Sequence, residues 1–195
     1  DMGDPVPYPD EIKAAMRNAT KVILLGNIPD LQYLYCTTDS TLFLWKGEDV
    51  KQHTFDGEFI SAVCHTKPST DLFHKNVKLL LFVFTNKSVS MIPFVDGIFD
   101  FESELINSMP SIATTGCIYT KDAVVVATQY GEVIAVQCER GKINQPPFKL
   151  TVKFLYGNYL RQWIYHSFSL QDPVKQLLYD PGSTLFAILY WDGRL

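Results

Sequence analysis

From Val22 onward, apolar residues fall in short runs rich in Val, Ile, Leu, Phe and Tyr, and each run stops at Gly, Asp, Asn or Ser. β-Branched and aromatic side chains suit a pleated surface and the bounding residues suit turns, so this rhythm predicts strands throughout the body. A run, a tight polar break and a second run with alternating apolar positions recur four times. Residues 32–38 break at Asp39-Ser40 before 42–45, and residues 77–85 break at Asn86-Lys87-Ser88 before 89–94. Residues 123–128 break at Tyr130-Gly131 before 133–136, and residues 185–190 break at Asp192-Gly193 before Leu195. The first apolar residues after the breaks, Leu42, Val89, Val133 and Leu195, stand 47, 44 and 62 positions apart.

Repeats of roughly 40–50 residues, each holding several strands, point to propeller blades, whose four-stranded sheets bury their faces only against neighbouring blades. A β-sandwich is the competing reading, because the repeats share pattern rather than identities. Trp191-Asp192 does not decide between them, since it falls in a turn. Ahead of the strands, residues 10–19 follow Pro5, Pro7 and Pro9, carry helix formers and place Asp10 and Glu11 in a first turn, which predicts one short helix. The expected fold is therefore all-β, a partial β-propeller of about three to four blades. Residues 1–20 form an amino-terminal segment, 21–195 the partial propeller, and 139–171 a long loop inserted between strands. Gly193-Arg194-Leu195 opens a strand in mid-motif, and four hairpins are fewer than a closed ring needs, so the propeller is expected to continue beyond residue 195.

Charge and composition narrow the function. With 47% hydrophobic and 19% charged residues the chain has a globular composition, and a net charge of −4 gives no basic stripe for nucleic acid. The longest apolar runs, such as 79–84 and 22–25, fall far short of the ~20 residues a helix needs to cross a bilayer. No charged n-region followed by an apolar run opens the sequence, so an intracellular setting is expected. Cys36, Cys64, Cys117 and Cys138 are too far apart for a CxxC site and read as reduced core residues.

Catalytic patterns are missing. His53, His65, His74 and His166 are scattered, and the nearest metal candidate, Cys64-His65 with His74, reads better as a strand end before the loop at Pro68. GxSxG, GxxxxGK[ST] and GxGxxG do not occur. Nothing in the spacing of Asp49, Asp56, Glu102 and Glu104 selects a carboxylate pair, and Glu102 and Glu104 read as a solvated loop between blades. No catalytic, metal-binding or cofactor-binding residue is assigned, and no small-molecule substrate is expected.

One segment stands apart. At helical spacing Val152, Tyr156, Leu160, Ile164 and Phe168 form one row and Leu155, Tyr159 and Trp163 the next, with Lys153, Arg161 and Gln162 opposite. A helix of this kind lies in a membrane–water interface. Packing on the propeller side, or a strand pair turning at Gly157-Asn158, are the alternatives. The membrane-contact candidates are Phe154, Leu155, Tyr159, Leu160, Trp163 and Ile164.

The order of motifs resembles the family of the hundred-and-fifty-five-kilodalton inner-ring nucleoporin and its fungal relatives. The likeness starts at Tyr8-Pro9-Asp10-Glu11-Ile12 and continues through Thr38-Asp39-Ser40-Thr41-Leu42-Phe43-Leu44-Trp45 and Phe55-Asp56-Gly57. It then takes in Lys67-Pro68, Phe73, the 79–85 strand, Gly131-Glu132-Val133-Ile134, Lys142-Ile143-Asn144 and Gln171-Asp172-Pro173-Val174, while Tyr190-Trp191-Asp192-Gly193 departs from the family's usual turn. The resemblance implies a seven-bladed amino-terminal propeller ahead of a helical solenoid, without enzymatic activity. It also implies a structural role in the inner ring of the nuclear pore complex, supporting nucleocytoplasmic transport. Other inner-ring nucleoporins and the nuclear-envelope surface are the implied partners, the latter through a loop that lies where 142–170 lies here. A non-catalytic propeller adaptor in another assembly, such as a vesicle coat, is the rival reading. Trp45, which ends an alternating strand, is expected to pack between blades.

Overall fold

Strand runs and turn breaks become antiparallel meanders in the computed structural model, which describes residues 8–141, 147–156, 174–180, 182–183, 185–190 and 193. The chain forms two compact units, Asp1–Ile60 and Ser61–Leu195.

In the first unit, helix α1 (Asp10–Asn18) starts after Pro9, places Asp10 and Glu11 in its first turn and Arg17 in its last, and so matches the helix dipole at both ends. It precedes a four-stranded sheet of β1 (Leu25–Ile28), β2 (Tyr33–Thr38), β3 (Thr41–Lys46) and β4 (Asp49–Thr54), paired in chain order. The β2–β3 break is a two-residue turn with Asp39 at φ 51°, a left-handed conformation that Asp tolerates. The Asp39 carboxylate accepts the Thr20 amide at 3.0 Å, the Thr20 hydroxyl at 3.0 Å and the Lys21 amide at 2.9 Å, tying the chain that leaves α1 to the hairpin. Desolvation raises the pKa of Asp39, but these hydrogen bonds and the Lys21 charge outweigh it and hold the carboxyl below its usual value. A Cβ at Gly26 would run into the Tyr35 ring, so a larger residue there would have to displace that side chain.

Trp45 is buried, as expected, but it packs beneath α1 in a cluster with Ile12, Cys36 and Phe43. Alternation puts Phe43 and Trp45 on the α1 face of β3, and Ile12 supplies the buried residue of the helix. The Trp45 indole Nε1 has no hydrogen-bond partner among the described residues.

The second unit holds three sheets. The first contains β5 (Ile60–Thr66), β6 (Val77–Thr85), β7 (Ser88–Val95) and the two short strands β8 (Ile98–Phe99) and β9 (Leu105–Ser108), both paired to β7. The next runs β10 (Ala113–Thr120), β11 (Ala123–Thr128), β12 (Val133–Arg140) and β13 (Phe148–Tyr156) in order, and the last pairs β14 (Val174–Asp180) with β15 (Leu185–Tyr190). Leu80, Phe82, Phe84, Val89 and Met91 from the β5–β9 sheet meet Val124, Val126, Ile134, Val136 and Cys138 in one core. The opposite face of β11 and β12 gives Val125, Ala127 and Val133 to a second core with Val174, Leu177 and Tyr190. All six residues of β11 are buried, so this strand is covered on both faces and reads as a continuous apolar run rather than an alternation. At Gly116 on β10, a Cβ would stand 2.5 Å from the Cys64 sulfur of β5, which fixes glycine at that close approach.

Three of the four expected hairpins lie within a few residues of their sequence bounds. In the fourth, Leu185–Tyr190 pairs back onto β14, and the strand expected at Leu195 lies outside the described residues. The segment 139–171, expected as a loop, contains β13. The helical spacing drawn through 152–156 is corrected by the same strand: Leu150 and Val152 stand opposite Cys138 and Val136, and the strand's period of two turns these residues into the core. Phe148–Tyr156 is a strand, while the expected turn at Gly157-Asn158 and the rest of 157–168 lie outside the described residues.

Candidate interaction surface

Two of the departures from the regular meander in the second unit lie at the end of β13 and along the outer edge of β7. The first is the end of β13. Between Ile134↔Phe154 and Val133↔Tyr156 the register slips, so Leu155 is an extra residue on β13. Such a bulge bends the strand and re-aims its side chains. Phe154, Leu155 and Tyr156 are 53%, 41% and 55% exposed, making three consecutive large apolar or aromatic residues that no core covers. The strand beneath is held firmly: Asn107 Nδ2 of β9 donates to the Leu150 carbonyl at 2.9 Å, and Lys153 Nζ meets Glu139 Oε1 at 2.7 Å. That hydrogen bond from Lys153 keeps the Glu139 carboxyl below its usual pKa. Of the membrane-contact candidates, Phe154 and Leu155 thus share this exposed tip, while Tyr159, Leu160, Trp163 and Ile164 lie outside the described residues.

The second place is the outer edge of β7. β9 pairs with its first half, from Ser88↔Ser108 to Met91↔Leu105, and β8 pairs with Phe94 and Val95. Between them the chain leaves the ladder as the loop 100–104. Pro93 explains the gap. Its carbonyl accepts the Asp100 amide at 2.9 Å, so the edge that would need a Pro93 N–H is the outer one, and a proline there forfeits no inner ladder bond. The loop is shaped by Asp100, whose carboxylate accepts the Glu102 and Ser103 amides at 3.2 Å and the Ser103 hydroxyl at 2.6 Å. Beside it opens a cavity of ≈ 470 Å³ walled by Phe73, Met91, Pro93, Leu105 and Phe148, with Asp100, Glu102 and Glu104 at its edge. Phe73 and Phe148 stack with centroids 5.1 Å apart and planes 12° from parallel.

A buried polar knot fixes the turn between β11 and β12. Glu132, 2% exposed, accepts the Ser111 hydroxyl at 2.5 Å and the Thr128 hydroxyl at 2.9 Å. Sequence reasoning saw Glu132 only as a turn residue. A signal was available: Thr38, Thr85 and Thr128 each end the first strand of a hairpin, all are buried, and the hydroxyls of Thr85 and Thr128 accept amides of the turns that follow.

No three His, Cys, Asp or Glu residues gather into a metal-holding group among the described residues. Cys64 and His65 lie on β5 and His74 in the loop before β6, where its ring pairs with the Asn76 side chain at 2.8 Å. Cys36, Cys64 and Cys138 are buried and free, Cys117 is free and half-buried, and burial pushes Cys36 up to about 11 and Cys64 and Cys138 up to about 12. These thiols stay protonated at neutral pH and behave as apolar core groups. No helix among the described residues is long and apolar enough to cross a membrane.

Comparison with known proteins agrees with this arrangement. The nucleoporin family model described as Nup133 N terminal like matches residues 5–168. Among solved structures, the Chaetomium thermophilum Nup170 amino-terminal domain in complex with Nup53 superposes with a TM-score of 0.67 at 17% identity, covering 94% of this chain and 27% of that one. The β-propeller domain of Myceliophteria thermophila Cps50 (Swd1) gives a TM-score of 0.54 at 10% identity, covering 89% of this chain and 51% of that one. No curated protein sequence matches. The fold is that of a partial β-propeller, as the repeat spacing predicted. The chain spans about a quarter of the length of the Nup170 chain it matches.

Proposed function

The chain belongs to the Nup133 N-terminal-like family of nucleoporins, scaffold proteins of the nuclear pore complex, and from that premise we propose that it serves in the pore's inner ring as a non-catalytic scaffold. The family match over residues 5–168 carries the proposal. Propeller geometry supports it: β6 and β11 are spent on burial, and what remains for recognition is the outer-strand surface described above. Neighbouring inner-ring nucleoporins are the proposed partners, a Nup53-like protein among them because the similar Nup170 domain is in complex with Nup53. The nuclear-envelope surface is the second proposed contact, reached through the tip of β13, where Phe154, Leu155 and Tyr156 project. Support for nucleocytoplasmic transport follows from that place in the pore and needs no active site.

The test is imaging of the full chain carrying a fluorescent tag in living cells. A punctate nuclear rim that co-localises with inner-ring nucleoporins, and that is weakened when those partners are depleted, is the expected outcome. Cytoplasmic vesicle staining would instead favour a coat adaptor and reject the pore reading.

A further inference from the structure

The cavity beside the broken edge of β7 has two chemistries arranged in order. Its floor and walls are apolar and aromatic, with Phe73 and Phe148 stacked at 5.1 Å and Val77, Met91, Pro93, Val95 and Leu105 around them. One rim carries Asp100, Glu102 and Glu104, with Glu102 exposed and the other two half-buried. An adjoining hollow shares Phe73 and Val77 with the cavity and is also lined by Lys67, Lys75 and Lys78. The two hollows meet at Phe73 and Val77, giving a groove with acidic side chains in one part and basic side chains in the other. A volume of ≈ 470 Å³ suits one or two bulky side chains and is within the range of ligand sites.

The groove exists because of specific local choices. Pro93 removes a donor on the outer edge of β7, β8 is only two residues long, and Asp100 closes a side-chain-capped turn that carries the chain away before β9 rejoins the ladder. An uninterrupted outer strand, like β13, would pair along this edge and leave no cavity.

We propose that this groove docks a linear peptide segment of a partner protein, one with a bulky apolar side chain flanked by Lys or Arg on one side and by acidic residues on the other. The apolar side chain enters over Phe73 and Phe148. The basic flank lies along Asp100, Glu102 and Glu104, and the acidic flank lies toward Lys75 and Lys78. Desolvated apolar anchors supply most of the affinity in such sites, and charge complementarity sets orientation and partner choice. The proposal rests on the scaffold reading and gives it one docking site of defined chemistry.

The probe is a blocked, fluorescein-labelled synthetic peptide with a central Leu-Phe pair, arginines on one flank and glutamates on the other, titrated with the full chain and followed by fluorescence anisotropy. Saturable binding that weakens with added salt is expected. Glu102→Lys, an exposed substitution that leaves the core alone, should weaken it roughly tenfold, and Phe148→Ala at least as much. An otherwise identical peptide with glutamates on both flanks should bind roughly tenfold more weakly than the probe. Absence of saturable binding, equal binding of the all-acidic peptide, or no response to Glu102→Lys would each overturn the proposal. So would concentration-dependent self-association abolished by Phe148→Ala, which would make a second copy of the chain the occupant. The tagged Glu102→Lys chain separates the two readings: retained rim localisation alongside a failed peptide titration removes the docking site only, whereas a wild-type chain absent from the rim removes the scaffold reading.

Discussion

The β5–β9 and β10–β13 sheets use the same place in the repeat in opposite ways. In the second of them the outermost strand is continuous, nine residues of β13 paired to β12 down to a single bulge. In the first it is broken into β8, of two residues, and β9, of four, with an acidic loop between them. The inner strands show no such contrast: β6 and β11 are both almost wholly buried and feed the same core. The inner strands β6 and β11 are therefore held alike by burial, while the outer strands of the two sheets diverge, and the exposed tip and the cavity arise from that divergence. One outer strand ends in an exposed apolar tip, the other opens a groove.

Substitutions along this gradient should lose effect from inside outward. Phe82 on β6 is fully buried in the shared core, so Phe82→Ala should cost about 3–5 kcal/mol in denaturant unfolding of the full chain. A cost below about 1 kcal/mol would mean that the two sheets do not share a core. Glu132 comes next. Glu132→Ala strips the buried Ser111 and Thr128 hydroxyls of their shared acceptor and should cost about 2–3 kcal/mol in the same measurement. On the outer strand, Asp100→Ala removes the turn bonds to Glu102 and Ser103, all exposed, and should cost about 1 kcal/mol or less. Its sharper readout is the peptide titration, where a loosened loop should weaken binding although the fold melts almost unchanged. An Asp100→Ala loss as large as that of Phe82→Ala would erase the distinction between inner and outer strands.

The central hairpins and the short helix were legible in the sequence because each is announced by local chemistry. Runs of β-branched residues stop at Asp39-Ser40, Asn86-Lys87-Ser88 and Tyr130-Gly131, and acidic residues follow Pro9 at the start of α1. The broken strand was not legible, since two residues of β8 leave no periodic trace, and Glu102 and Glu104 looked like any solvated loop. Trp45 was recognised as a core residue, yet a strand buried on both faces does not say which face the indole takes, and the partner proved to be Ile12 of α1. β13 was ambiguous for a related reason: Val152, Leu155 and Tyr156 satisfy helical spacing as well as strand spacing once a bulge at Leu155 shifts the alternation. Glu132 escaped because polarity patterns mark charged residues as exposed, and only its two hydroxyl partners reveal why burial is tolerated.

The smallest effect on stability should accompany the largest effect on membrane contact. Phe154 and Leu155 are about half exposed at the end of β13, so replacing both by Asp removes little buried surface and should change unfolding free energy by no more than about 0.5 kcal/mol. If the tip touches the nuclear envelope, the same double variant loses its apolar insertion and adds two charges there, and should stop co-floating with liposomes. Lys153, which precedes Phe154 on β13, is already paired with Glu139, so anionic lipid should help wild-type binding only modestly and high salt should leave most of it intact. The comparison strand supplies the control. Ile106 on β9 is 62% exposed while its apolar neighbour Leu105 lines the cavity, so it stands as a single exposed apolar residue and Ile106→Asp should leave flotation unchanged. Loss of flotation in both variants would point to general apolar stickiness, and retention in both would move the membrane contact away from β13.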